Sequence, residues 1–254
     1  MTHPALRLEN VVKRFGALVV TNDVSMEFHT GRTHALIGPN GAGKTTLFNL
    51  ITGRLGVSSG RIFLGDEEVT GKREDRRARM GVGRTFQHSS LFESFPVLEN
   101  VVLALRRRHG LAGSVIPSRK RERELSHEAY ELLHRVGLGH RWRDAVKDLS
   151  HGERRQLEVA MALALSPKIL LFDEPTAGMS KRESESFTDL IRALPDDLSV
   201  VLIEHDLDVV FSVADHVTVL AAGKVIAVGE PEQVQRDEAV LEAYLGTGLG
   251  EVFL

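Results

Sequence analysis

An α/β fold with a P-loop core, an antiparallel β flank and a helical sub-domain is expected of this 254-residue chain. Three observations carry that expectation. The run Gly38-Pro39-Asn40-Gly41-Ala42-Gly43-Lys44-Thr45-Thr46 fits the pattern G-x-x-x-x-G-K-[ST] at every fixed position. It lies between a strand-like and a helix-like apolar run, where such a loop belongs. Two later runs, Ile169-Leu170-Leu171-Phe172 and Val200-Val201-Leu202-Ile203, suit central strands buried on both faces of a sheet.

The elements follow in order. Leu6-Arg7-Leu8-Glu9 alternates, and residues 17–28 are β-branched and apolar with a break at Thr21-Asn22-Asp23, so the chain opens on antiparallel strands. Thr33-His34-Ala35-Leu36-Ile37 reads as a short buried strand, and Thr45-Thr46-Leu47-Phe48-Asn49-Leu50-Ile51 as the helix after the loop. Gly60-Arg61-Ile62-Phe63-Leu64-Gly65-Asp66 is a further strand closing in a turn. From 97 to about 147 the pattern turns helical and highly charged, which places a helical insertion at about 88–148. Residues 152–165 form a helix with Leu157, Ala160, Met161 and Ala164 on one stripe. Val217-Thr218-Val219-Leu220 and Lys224-Val225-Ile226-Ala227-Val228 make a late hairpin across Ala222-Gly223. No internal repeat interrupts this, and residues 1–254 read as a single domain containing the insertion.

Composition narrows the function. Apolar residues at 42% and charged residues at 26% are an ordinary soluble balance, and a net charge of −3 implies no overall field for polyanions. Without cysteine there is no disulfide, thiolate metal site or cysteine nucleophile. No apolar run approaches the about 20 residues that span a bilayer, and Met1-Thr2-His3-Pro4-Ala5-Leu6-Arg7 has no signal-peptide core. The chain is expected in the cytosol, with membrane contact through a partner. Arg106-Arg107-Arg108 and Arg119-Lys120-Arg121-Glu122-Arg123 could touch anionic headgroups or nucleic acid, but the interleaved Glu122, Glu124 and Glu128 favour a solvated helical face. Trp142 reads as packing.

The loop carries the first chemistry. Its glycines let successive N–H groups turn inward as an anion-binding nest, and the following helix adds its positive end. Lys44 would reach the β- and γ-phosphates and the Thr45 hydroxyl would ligate Mg²⁺. The chain is therefore expected to bind a nucleoside triphosphate. Asp173-Glu174 ends an apolar strand. Asp173 would hold the Mg²⁺ shell and Glu174 would polarise the attacking water. His205 follows another such strand, where ligands of open α/β sheets bind, and could bond the γ-phosphate. Gly83-Arg84-Thr85-Phe86-Gln87 brings an amide, Gln87, within reach of Mg²⁺ or the water. Leu149-Ser150-His151-Gly152-Glu153 offers a hydroxyl and backbone N–H groups at a helix start, a second anion cradle that one triphosphate does not need.

Together these pieces resemble the ATP-binding subunits of ABC transporters over essentially the whole chain. In that likeness residues 38–46 are the Walker A motif, Gln87 the Q-loop, and 149–153 the signature motif. Asp173-Glu174 ends Walker B, and His205 is the switch histidine. Phe15 takes the place of the aromatic that stacks on adenine. Residues 83–87, Leu91-Phe92, Val97-Leu98-Glu99-Asn100, residues 174–180 and Glu242-Ala243-Tyr244-Leu245-Gly246 look most like branched-chain amino-acid importer ATPases and their urea and amide relatives. The resemblance implies a RecA-like core and ATP and Mg²⁺ as cofactors. ATP would lie between two protomers, in a homodimer or a paralogue heterodimer, with Ser150, His151, Gly152 and Glu153 facing the partner's nucleotide. It also implies two permease subunits, an extracytoplasmic solute-binding protein served indirectly, a place on the inner face of the membrane, and no nucleic acid. A soluble ATPase or a lipopolysaccharide exporter is the rival; a GTPase is disfavoured by the lack of Asn-Lys-x-Asp. Three positions depart from the family pattern: His151 replaces Gly, Glu153 replaces Gln, and Ser180 replaces the usual Asp.

Overall fold

The computed structural model describes residues 4–85, 91–111 and 118–245. Strands β1 (Pro4–Phe15) and β2 (Leu18–His29) pair antiparallel, with Leu8 opposite Met26 and Phe15 opposite Leu18. The polar Thr21-Asn22-Asp23 does not break β2, contrary to the sequence expectation. The strand runs through as a bulged ribbon with register shifts. Asp23 and Asn10 both take positive φ, at 60° and 49°, and the Asn10 amide donates to Asp23 Oδ1 at 2.8 Å. Short side chains that bond each other let two residues leave the pleat without ending it. Strands β4 (Ser59–Leu64) and β5 (Glu67–Glu68) complete a four-stranded sheet in the order β2-β1-β4-β5.

The second sheet has six strands: β3 (Thr33–Ile37), β6 (Val82–Arg84), β7 (Ile169–Asp173), β8 (Ser199–Ile203), β9 (His216–Ala221) and β10 (Lys224–Gly229). Their order is β10-β9-β3-β8-β7-β6, parallel except for the edge strand β10. The β9–β10 turn places Ala222 and Gly223 both at positive φ, 46° and 77°, the setting that a two-residue hairpin turn demands.

Around the sheets lie α1 (Lys44–Thr52), α2 (Glu74–Arg79), α3 (Val97–Arg108), α4 (Arg119–Arg135), α5 (His151–Ala164), α6 (Lys181–Arg192), α7 (Leu207–Val213), α8 (Pro231–Gln235) and α9 (Glu238–Leu245). Strands β7 and β8 are buried at every position, and alternate residues serve different cores. Leu170, Phe172, Val200 and Leu202 pack with α3, α4, α5 and α6. Ile169, Leu171, Val201 and Ile203 pack with α1 and the antiparallel sheet. A sheet covered on both faces needs such unbroken apolar strands. On the helical arm acids pair with part of the basic clusters: Arg106 with Glu122, Arg108 with Glu128 at 2.9 Å, and Arg121 with Glu124 at 3.0 Å. Trp142 packs against the helical core, edge-on to Tyr130.

Candidate functional site

Because β3, β7 and β8 run parallel, their carboxyl ends share one edge, and the polar residues that follow them converge there. The loop between β3 and α1 needs its glycines. Gly38, Gly41 and Gly43 have φ of 149°, 79° and 102°. A Cβ on Gly38 would lie 2.0 Å from the Leu220 carbonyl oxygen, and one on Gly43 would lie 2.7 Å from that of Val20. The loop is wedged between β2 and β9, with no room for side chains at those positions. Residues 40–46 line a cavity of about 220 Å³ together with Val20, Glu174 and His205.

Lys44 is buried and donates to the Gly38 and Pro39 carbonyls at 2.5 and 3.2 Å. Burial pulls its pKa down, against the opposing pull of Glu174 and then Asp173. Glu174 has φ of 49°, uncommon for a residue with a side chain and held by its N–H donating to the Ile203 carbonyl at 2.9 Å. Its Oε1 meets His205 Nε2 at 2.7 Å. This carboxylate–imidazole pair on the wall of a phosphate-sized cavity can orient a water and accept its proton.

Asp173 is buried, and burial raises its pKa first of all; Arg84 opposes the shift and Glu174 adds to it. Arg84 donates to Asp173 Oδ2 at 2.9 Å and to Asn49 Oδ1 at 2.7 Å. Asp173 Oδ1 is buried with no hydrogen-bond partner. An orphaned carboxylate oxygen beside a P-loop suits Mg²⁺, which takes one or two protein oxygens and fills its shell with phosphate oxygens and water.

The second cradle lies apart: Ser150, His151, Gly152 and Glu153 are not among the residues lining that cavity. Ser150 caps α5 in a reciprocal box, with Ser150 N donating to Glu153 Oε2 at 2.8 Å and Glu153 N to Ser150 Oγ at 3.2 Å. His151 is the first helical residue and keeps an ordinary φ, so the strain that a lost glycine suggests is absent; Nε2 lies 3.3 Å from the Ala177 carbonyl. Ser180 caps α6 in a second box, with Glu183. Phe15 is 48% exposed at the end of β1, with Lys13 Nζ 5.0 Å from its ring centre, and does not line the cavity. Gln87 lies outside the described residues.

Three residues of the site went unread in the sequence. Arg84 and Glu183 gave a partial signal, a cation in the stretch before Gln87 and a Ser-x-x-Glu spacing. The third, Glu204, is buried: its Oε1 accepts from Thr176 N–H at 2.9 Å and its Oε2 from His205 N–H at 3.0 Å, tying the loop after Glu174 to His205. No sequence pattern announced it.

A family model described as "ABC transporter" matches residues 21–177, well over half of the chain. The chain belongs to the ABC transporter family of ATP-binding subunits. It is an ATPase of that family. A second model, "Branched-chain amino acid ATP-binding cassette transporter", matches residues 224–249. The chain is 37% identical, over 97% of its length and 99% of the other's, to the high-affinity branched-chain amino acid transport ATP-binding protein LivG of Escherichia coli K12. It is also 35% identical, over 95% and 97%, to the lipopolysaccharide export system ATP-binding protein LptB of Haemophilus influenzae. Among solved structures, the ADP conformation of MJ1267, an ATP-binding cassette of an ABC transporter, covers 96% of this chain and 100% of its own, at 30% identity with a TM-score of 0.84. No helix among the described residues is long and apolar enough to cross a membrane.

Proposed function

We propose that this chain is one of two ATP-hydrolysing subunits of an importer for branched-chain amino acids or closely related small solutes. It would sit on the inner face of the membrane, joined to two permease subunits that a solute-binding protein supplies. The observation that carries hydrolysis is the Glu174–His205 pair at 2.7 Å on the wall of the P-loop cavity. Residues 38–46 would cradle the triphosphate, and Lys44 would release the Gly38 carbonyl to meet it. Phe15 would stack on the base. Thr45 and Asp173 would hold Mg²⁺, with Gln87 beside them, and the ion would supply charge neutralisation between the β- and γ-phosphates. Glu174 would accept the proton of the attacking water, and His205 would hold that carboxylate in place. Ser150, His151, Gly152 and Glu153 would complete the site of the second subunit.

Import of amino acids rather than lipopolysaccharide export is favoured by the match at residues 224–249. Reconstitution with the cognate permease and binding protein tests it. ATP turnover should rise several-fold when the binding protein carries leucine, isoleucine or valine. Equal turnover with an empty binding protein would defeat the solute assignment.

A further inference from the structure

The two Ser-x-x-Glu boxes that start α5 and α6 differ in how they are used. In the first, Glu153 Oε2 accepts from Ser150 N–H at 2.8 Å, while Oε1 lies 3.6 Å from Arg141 Nε. In the second, Glu183 divides its oxygens. Oε2 accepts from Ser180 N–H at 3.0 Å and Ser180 Oγ at 2.8 Å. Oε1 reaches the neighbouring helix, accepting from Ser150 Oγ and Gly152 N–H, both at 3.2 Å. A hydroxyl and a backbone N–H at a helix start are donors suited to a phosphate oxygen, and here both are spent on the protein's own carboxylate. Gly152 is shaped to that occupant: a Cβ there would lie 3.0 Å from Glu183 Cγ and 3.1 Å from Oε1. Glu183 is only half-buried, so its oxygen can leave for water without crossing the core. The bonds from Ser180, backbone and side chain, and then from Gly152 push its pKa down to about 2, and it is anionic at neutral pH.

We propose that Glu183 is an internal anion occupying the Ser150–Gly152 cradle of the separate subunit, displaced by the terminal phosphate of ATP held by a second copy of this chain. The inference rests on the reading above that 150–153 completes a shared site. Glu183 Oε1 and a phosphate oxygen cannot share two donors, and their like charges repel at that distance. Only Oε1 need move, since Oε2 keeps Ser180. ADP lacks the displacing phosphate, so the contact sets a threshold that distinguishes ATP from ADP before hydrolysis.

The test uses the full chain carrying Glu174→Gln, so that closed dimers persist, and follows association by light scattering as ATP is titrated. Adding Glu183→Gln keeps size and one accepting oxygen but removes the charge. Charge-assisted hydrogen bonds are about twice as strong as neutral ones, so the ATP concentration for half-maximal association should fall about three- to tenfold. Monomer ATP affinity should stay put, while the thermal midpoint falls modestly because the carboxylate also closes the α6 capping box. An unchanged or raised ATP requirement overturns the proposal. Ser180→Ala removes the hydroxyl bond to Oε2, keeps the backbone N–H bond to it and spares those to Oε1; if it lowers the requirement as far as Glu183→Gln does, the effect comes from the helix cap and the proposal also fails. Ser150→Arg separates the two readings. Association that survives it, or a Glu174→Gln parent that never associates with ATP, defeats the shared site itself. Abolition by Ser150→Arg beside an inert Glu183→Gln leaves the shared site standing and removes only the displacement.

Discussion

Glu174 combines an unusual backbone with an ordinary side chain. Its positive φ turns the chain sharply at the end of β7, so that Asp173 stays in the core while Glu174 faces the cavity. Neighbouring carboxylates thereby meet different surroundings: one is buried beside Arg84, the other lines the P-loop cavity. The isosteric Glu174→Gln variant leaves Lys44, Thr45 and the loop untouched. ATP affinity should hold within a few-fold, while single-turnover hydrolysis drops by roughly the 10²–10⁴ that a general base contributes. Near-normal turnover would reassign the role. The family departures also resolve at this scale. Glu153 and Ser180 are members of capping boxes, where a carboxylate and a hydroxyl serve as well as the usual residues or better.

Arg77 shows how one side chain finishes an element. On α2, with 1% of its surface exposed, it donates to the Leu50 and Ile51 carbonyls at the end of α1, and to the Thr70 and Lys72 carbonyls of the loop before α2. Burial lowers its pKa to about 10, which leaves it charged at neutral pH against the negative end of α1. Arg77→Met keeps most of the volume and strands the Ile51, Thr70 and Lys72 carbonyls, while Leu50 keeps the Gly53 N–H. It should cost about 2–4 kcal/mol in urea unfolding, given about 1–3 kcal/mol for a buried group left unsatisfied. Arg77→Lys should recover only part, because one ammonium cannot match a planar fork. A loss below about 1 kcal/mol for Met would show that water replaces the guanidinium.

The molecule as a whole carries a pH sensitivity away from the cavity. His34 on β3 is buried, with Nε2 2.7 Å from Thr218 Oγ1 and the His216 and His29 rings nearby. Burial first, then His216, then His29, lowers its pKa from 6.5 to about 4. The unfolded chain therefore takes up this proton before the folded one. Stability from this group is intact above about pH 6.5 and declines as pH falls toward 4, by about 3 kcal/mol at 1.36 kcal/mol per unit. Comparing urea midpoints at pH 7 and pH 4, wild type should lose that much more than His34→Gln. Parallel losses would place the sensitivity elsewhere.

Linear order determined a good deal. A phosphate loop between a strand and a helix, an apolar strand ending in Asp-Glu, another followed by His205, and a serine cradle before a helix are local patterns. Each constrains its own backbone, so the P-loop ATPase fold was legible, as were residues 40–46, Glu174 and His205, which line the candidate cavity. Tertiary structure decided what local pattern cannot encode. It brought Glu204 under Thr176 across 28 positions, placed Arg84 against Asp173 across 89, and laid Glu183 on the Ser150 cradle across 33. It also carried β2 through a polar stretch that propensity alone would end, because cross-strand pairing with β1 and the Asn10–Asp23 bond offset the local preference. Contacts between residues far apart in the chain depend on how sheets and helices stack, and no spacing along the sequence records that.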